Sequence, residues 1–237
     1  MNLPKIAHPV FELTVPSTKQ QVRYRPFLVK EEKMLLIAQA SDSPVDVFNA
    51  ITQVVANCII TEGVDVSKFT SFDLEYFFLR LRAKSVSNTV ELTYRDNEDG
   101  QMYSFEIDLE QVEVKMPEVS VPNTIDIQDG YKLRLKYPLS SVSQAVSQAT
   151  SEADMMFQVA KQCIDVLFKD SEVYSFADYS DEEIDAFVAD LPLQSFQQIR
   201  VFAESTPHLY HKLTYTNKNG NERVIELTSL NDFFTLR

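Results

Sequence analysis

Four times along this chain, two runs of alternating apolar and polar residues flank a short turn. The runs cover residues 10–15 and 21–25, 89–94 and 102–108, 125–127 and 132–137, and 212–215 and 223–227. Alternation with period two marks a half-buried strand, and a turn of a few residues can only join neighbours that run antiparallel. The turns carry the expected chemistry. Pro16-Ser17-Thr18-Lys19 closes the first, Asp96-Asn97-Glu98-Asp99-Gly100 the second, Asp129-Gly130 the third and Asn217-Lys218-Asn219-Gly220 the fourth, while Pro26 stops the first hairpin from continuing. Residues 112–116 add further strand material.

Helical periodicity fills the intervals. Residues 29–40 place Leu35, Leu36 and Ile37 after a charged first turn. Residues 44–60 follow an N-cap-like Asp42-Ser43-Pro44, with Val47, Phe48, Ile51, Val54, Val55, Cys58 and Ile59 at three- and four-residue steps. A third helix over 70–85 has a broad apolar face (Phe72, Leu74, Phe77, Phe78, Leu81), acids at its start and bases at its end, an order that suits the helix dipole. Further helices are expected from about 140 to 168, after the capping box Ser180-Asp181-Glu182-Glu183, and over 195–204. The fold class read from this pattern is α+β, with antiparallel β-hairpins packed against amphipathic helices.

Pro117 and Pro122 bracket a restart of the pattern, so two domains are expected, each hairpin-helical-hairpin: 1–117 and 118–237. Leu92-Thr93-Tyr94 before Gly100 parallels Leu213-Thr214-Tyr215 before Gly220, and each is preceded by a helix opening with Ser-Phe (Ser71-Phe72, Ser195-Phe196). This reads as a duplicated helix-plus-hairpin unit, with chance similarity as the alternative.

Composition narrows the function. Hydrophobic residues make up 44% of 237, including 16 Phe and 10 Tyr, which supplies a real core and argues against global disorder. Only four Gly are present, few for a nucleotide-binding enzyme that brings backbone against phosphate. A net charge of −13 would repel a nucleic-acid backbone. No stretch approaches the roughly 18 apolar residues of a membrane span, and residues 1–7 lack a signal-peptide core, so synthesis and folding in the cytosol are expected. Cys58 and Cys163, the only cysteines, sit in apolar helical patterns and read as buried free thiols of a reducing compartment.

Reactive constellations are missing. His208 and His211 lie at the start of a strand, where residues three apart face opposite sides, so they read as structural or solvated rather than as metal ligands. The acids of the turn at 96–100 lie between strands, not in the helix-loop-helix of a calcium loop, and turn chemistry accounts for them. No acidic pair stands out, and no nucleophile elbow or phosphate loop occurs. The expectation is a chain that is not an enzyme, with no cofactor, no metal and no small-molecule substrate. Candidate partner-binding residues are those mixing cations with aromatics, Arg23, Tyr24, Arg25 and Phe27, and the apolar Phe77, Phe78, Phe233 and Phe234. For Phe233 and Phe234, packing on the domain's own core is the favoured alternative.

Three stretches together resemble a known family: residues 11–16 with 22–33, Phe72 to Ser85, and the tail from Leu191 through Pro207-His208-Leu209-Tyr210-His211 to Asp232-Phe233-Phe234. They look like the baseplate hub subunits and hub assembly proteins of T-even-type myophages. The resemblance implies a protein–protein role in building the baseplate hub during tail assembly, with hub or tape-measure proteins as partners, in the host cytoplasm and then in the virion. Helices 44–60 and 70–85 would offer a partner helix an apolar groove, with Arg23 and Arg25 at its rim. A layout similar to tail assembly chaperones makes a chaperone for the tape-measure protein, absent from the mature virion, the alternative. A cell-envelope hydrolase of the hub is a third reading. Some relatives are implied to carry cysteines in the hairpin turns, in a zinc-ribbon-like arrangement. Asp96, Asn97, Asp99, Asn217 and Asn219 stand there in this chain, which implies no zinc.

Overall fold

The computed structural model describes residues 6–41, 43–118 and 121–233. Among them are 11 strands and 8 α-helices, and all strand pairs are antiparallel, an α+β architecture. The chain divides into two compact units: residues 1–115 with 208–237, and residues 116–207. The final hairpin therefore belongs with the N-terminal residues, whereas the sequence assigned it to the second half. The cause is a pairing that local pattern cannot encode: Glu113–Lys115 hydrogen-bonds with His208–Tyr210 across the whole inserted unit.

In unit 1, strands β1 (Phe11–Thr14) and β2 (Gln21–Tyr24) form the first hairpin. Helices α1 (Val29–Gln39) and α2 (Pro44–Cys58) follow, and α2 begins as expected, with Ser43 Oγ accepting from the Asp46 amide at 3.3 Å and Pro44 at the first position. Helix α3 (Ser71–Ser85) opens with a reciprocal cap between Thr70 and Asp73. The Asp73 carboxylate also accepts from the Ser17 amide at 2.9 Å, which fixes the turn of the first hairpin to the start of α3. Strands β3 (Thr89–Arg95) and β4 (Met102–Asp108) make the second hairpin, and β5 (Glu113–Lys115) ends this passage.

Helix α3 is the centre of unit 1. Phe77, Phe78, Leu74 and Leu81 pack with Val22, Tyr24, Val54, Val55 and Cys58. Its other side sends Leu79 and Ala83 into a second cluster with Leu92, Ile107, Leu109, Val112, Leu209, Leu227 and Phe233. A helix buried on two sides needs apolar residues around most of its circumference, which is why its sequence shows a broad face rather than a stripe. Each of these large side chains contributes on the order of 1.5–3 kcal/mol by leaving water.

In unit 2, strands β6 (Thr124–Asp126), β7 (Lys132–Leu135), β8 (Ile164–Lys169) and β9 (Glu172–Ser175) form one sheet in that order. Helices α4 (Val142–Gln148), α5 (Glu152–Cys163), α6 (Asp181–Ala189) and α7 (Leu193–Glu204) complete it. Residues 164–168, expected to finish a helix, instead pair with β7 and β9. The core joins Leu133, Leu135 and Ile164 of the sheet to Ala160, Val188, Ile199 and Phe202 of the helices. No helix among the described residues is long and apolar enough to cross a membrane.

Strands β10 (His208–Thr216) and β11 (Glu222–Leu227) return the chain to unit 1, and the short helix α8 (Leu230–Phe233) ends the described residues. The two hairpins of the expected duplication, β3–β4 and β10–β11, share an Asx-opened turn closed by a left-handed Gly. The likeness does not extend to the preceding helices, because α3 lies in unit 1 and α7 in unit 2.

Candidate functional site

The tips of β3–β4 and β10–β11 are built alike and meet. Asp96 opens the first tip, and its Oδ1 accepts from the amides of Glu98 at 2.7 Å and Asp99 at 3.3 Å. Asn217 opens the second, and its Oδ1 accepts from the amides of Asn219 at 3.1 Å and Asn221 at 2.9 Å. Such side-chain-to-backbone bonds are why Asx residues nucleate turns. Gly100 and Gly220 take the left-handed backbone that each turn requires, with φ of 71° and 85°.

Bonds then cross from one tip to the other. The Tyr215 hydroxyl donates to Asp96 Oδ2, and Arg223 Nε lies 3.3 Å from the same oxygen. Asn217 Nδ2 donates to Glu98 Oε2 at 3.0 Å, and Arg223 Nη1 reaches that oxygen at 3.2 Å. The Lys218 amide donates to Asp99 Oδ2 at 2.9 Å and to the Tyr103 hydroxyl at 2.7 Å. The Tyr215 ring rests against Tyr103 and Phe105, with centroids 4.7 and 5.3 Å away.

These are the turns where the resemblance implies cysteines in relatives. The residues present do not fit a zinc ion. Both Asp96 oxygens and the Asn217 oxygen are already engaged, and the Arg223 guanidinium supplies the positive charge that a metal would bring. The arrangement is a clasp that joins two hairpins by hydrogen bonds and ion pairs.

The clasp has a pH signature. Desolvation, and then the bond to Asp96, pushes the Tyr215 phenol up to about 12. A phenol whose folded value exceeds its unfolded value contributes stability that is complete below about pH 10 and lost as pH rises through about 12. Tyr215→Phe should therefore flatten the alkaline limb of the stability profile between those values, as read by thermal melts from pH 9 to 12. An unchanged limb would remove the clasp's Tyr215–Asp96 bond from the account.

The sequence-predicted binding residues are distributed differently from expectation. Tyr24, Phe77, Phe78 and Phe233 are 2%, 1%, 6% and 0% exposed. They are core residues of the two clusters of unit 1, not an open binding face. The groove expected on the second and third helices is likewise closed, since those faces pack on one another and on β2. Arg25 is not a rim residue. Its guanidinium donates to Glu31 Oε1 at 3.0 Å, to the Pro26 carbonyl at 2.9 Å and to the Asn57 carbonyl at 3.0 Å. Glu31 has no exposed side-chain surface. Burial alone would raise its pKa, but the bonds from Arg25 and the Leu28 amide outweigh burial and hold it below the ordinary value. Arg23 is exposed on β2, Phe27 is half-buried against the core, and Phe234 lies outside the described residues.

One exposed apolar face lies where the sequence did not place it, on α1, beside single exposed residues such as Val173 and Leu193 elsewhere. Val29, Leu36 and Ile37 are 80%, 59% and 62% exposed and share one face of the helix at steps of seven and eight residues. The signal available was the run Leu35-Leu36-Ile37, which is too apolar for one buried stripe. Neither thiol is poised for chemistry, because burial pushes Cys58 up to about 11 and Cys163 up to about 12.

Comparison with known proteins gives one family. No curated protein and no solved structure matches the chain. The family described as T4 bacteriophage base plate protein matches residues 8–235, a span that includes both hairpins of the clasp, the Arg25–Glu31 pair and all of unit 2. The chain belongs to the T4 bacteriophage base plate protein family.

Proposed function

We propose that this baseplate protein is a hub subunit or hub assembly factor that works by binding other proteins of the tail, with no catalytic step. The observation that carries the reading is the family match over 8–235 together with an apolar α1 face, Val29, Leu36 and Ile37, left in water by its own unit. Exposed apolar clusters of this kind mark protein-binding surfaces. The partners fitting this role are hub or tape-measure proteins, and the site of action is the tail baseplate. Arg23 and Phe27 remain candidates for the edge of the contact, and Phe234 for a further anchor.

The test is co-expression and capture. Wild-type chain should retain a hub or tape-measure protein, and Leu36→Asp with Ile37→Asp should weaken capture by about tenfold or more, the scale of an interface anchor. The two side chains touch water, so thermal stability should move by only about 0.5 kcal/mol per site. Wild-type protein that captures no tail component would overturn the reading. Mass spectrometry of purified particles separates a retained subunit from a chaperone that leaves before the tail is complete.

A further inference from the structure

Unit 2 contains a cavity of about 300 Å³ walled by the rings of Tyr131, Tyr174, Phe176, Tyr179 and Phe187, with Glu183 among its lining residues. We infer that this pocket receives a cationic side chain, an arginine or lysine, carried on a basic segment of a partner protein. The inference stands on the pocket alone and holds whichever step of baseplate assembly the chain serves.

Three observations select the ligand. The first is the wall. Aromatic faces carry partial negative charge and attract a cation within about 6 Å. One wall already does so, since Lys169 Nζ sits 4.9 Å from the centre of the Tyr131 ring. Phe176 packs against Phe187 and Tyr179 with centroids 5.0 and 6.3 Å apart, so the rings are held by each other and need no ligand to set them.

The second is Glu183. One of its oxygens accepts from the Ser180 amide at 2.8 Å as part of the α6 cap, which fixes this exposed carboxylate beside the pocket. A neutral apolar side chain filling the cavity would leave this exposed carboxylate without a cationic partner. A guanidinium or ammonium would both stack on the rings and pair with it.

The third is the surrounding charge. From Lys169 to Asp190 the chain has eight acids and one cation, Lys169, whose ammonium lies on the Tyr131 ring and leaves the other rings of the wall open. Lys161 neutralises part of this through Asp181 and Asp185, at 3.2 and 2.7 Å. Glu172, Asp178, Glu182 and Glu183 remain without a cationic partner among the described ion pairs, so the rim attracts a basic polypeptide and repels an acidic one.

The experiment is aromatic ¹³C NMR of the full chain titrated with four probes: a short Gly-Ser peptide with one central arginine, the same peptide with citrulline, the same with norleucine, and spermidine. The arginine peptide is expected to shift the pocket rings saturably. Tyr179→Ala and, separately, Glu183→Gln should each weaken it about fivefold. Glu183→Gln keeps an oxygen for the Ser180 amide, so it guards against loss of the fold. Citrulline or norleucine binding equally would show an apolar pocket and overturn the inference. So would arginine shifts that spread over the acidic surface and ignore both variants. Spermidine binding as tightly as the peptide would replace the partner protein by a free polyamine.

Discussion

Replacing Arg25 with Met is expected to cost unit 1 about 3–5 kcal/mol, the scale for removing one member of a buried ion pair. The guanidinium ties three pieces of backbone, the end of β2 through Pro26, the end of α2 through Asn57 and the start of α1 through Glu31. Without it Glu31 is left fully covered, with only the Leu28 amide at 2.9 Å and the distal Lys30, 3.4 Å away on an exposed stem. Urea denaturation should show the loss, and Arg25→Met with Glu31→Leu should be more stable than the single variant, because the orphaned charge is then gone. The pH dependence gives an independent check. In the wild type Glu31 has a lowered folded pKa, so its contribution is present above the ordinary glutamate value and lost as pH falls through the folded one. In Arg25→Met the sign reverses, since protonation relieves an unpaired buried carboxylate, and the deficit should shrink as pH falls. A deficit under about 1 kcal/mol would put Arg25 back in water as a surface residue.

That pair shows where sequence reading stops. Arg23 and Arg25 are two residues apart on one strand and look equivalent, yet one is exposed and the other clamps a buried acid. The difference lies in Glu31 and Asn57, whose arrival beside Arg25 depends on how α1 and α2 pack. The same holds for the aromatics. Phe and Tyr enrich both cores and binding surfaces, so Tyr24, Phe77 and Phe78 carried no local mark of which they would join. The segment at 164–168 is a sharper case. Phe157, Ala160, Cys163, Ile164, Leu167 and Phe168 continue a helical spacing without a break, and only the pairing of Leu133 with Leu167 turns the last of them into strand. Legible features were those whose cause is local. The hairpin turns, the caps at Ser43 and Ser180 and the period of α2 rest on residues within four positions of each other. The clasp was half-legible in this sense. Asp96 and Asn217 announce turns, but the bond from Tyr215 to Asp96 spans 119 residues and follows from β10 pairing with β5.

Phe233→Ala is expected to destabilise unit 1 by about 3–5 kcal/mol, and to do so in the absence of any partner. Phe233 has no exposed surface and packs with Leu79, Ile107, Leu209 and Leu227, residues from α3, the second hairpin and the last one. The helix that delivers it is one turn long, too short to persist by itself. Asp232 caps it by accepting from the amides of Thr228 and Ser229 at 2.9 and 2.8 Å, and Leu230 touches both core clusters. Glu75, half-buried, bonds to the Leu230 backbone, and its carboxyl is pushed up to about 7 by desolvation, which outweighs that bond, with Asp232 adding to the rise. A raised acid contributes stability that is complete below the ordinary glutamate value and lost as pH rises through about 7, so unit 1 loses this contribution above neutrality. The cost of Phe233→Ala should accordingly be read at pH 6, below that transition. If Phe233 were instead a partner anchor, the variant would melt with the wild type and lose only capture of its partner. A full stability loss with isolated protein assigns the residue to the monomer's core, and Phe234→Ala, measured alongside for capture, then reports on the neighbouring side chain without that confounding term.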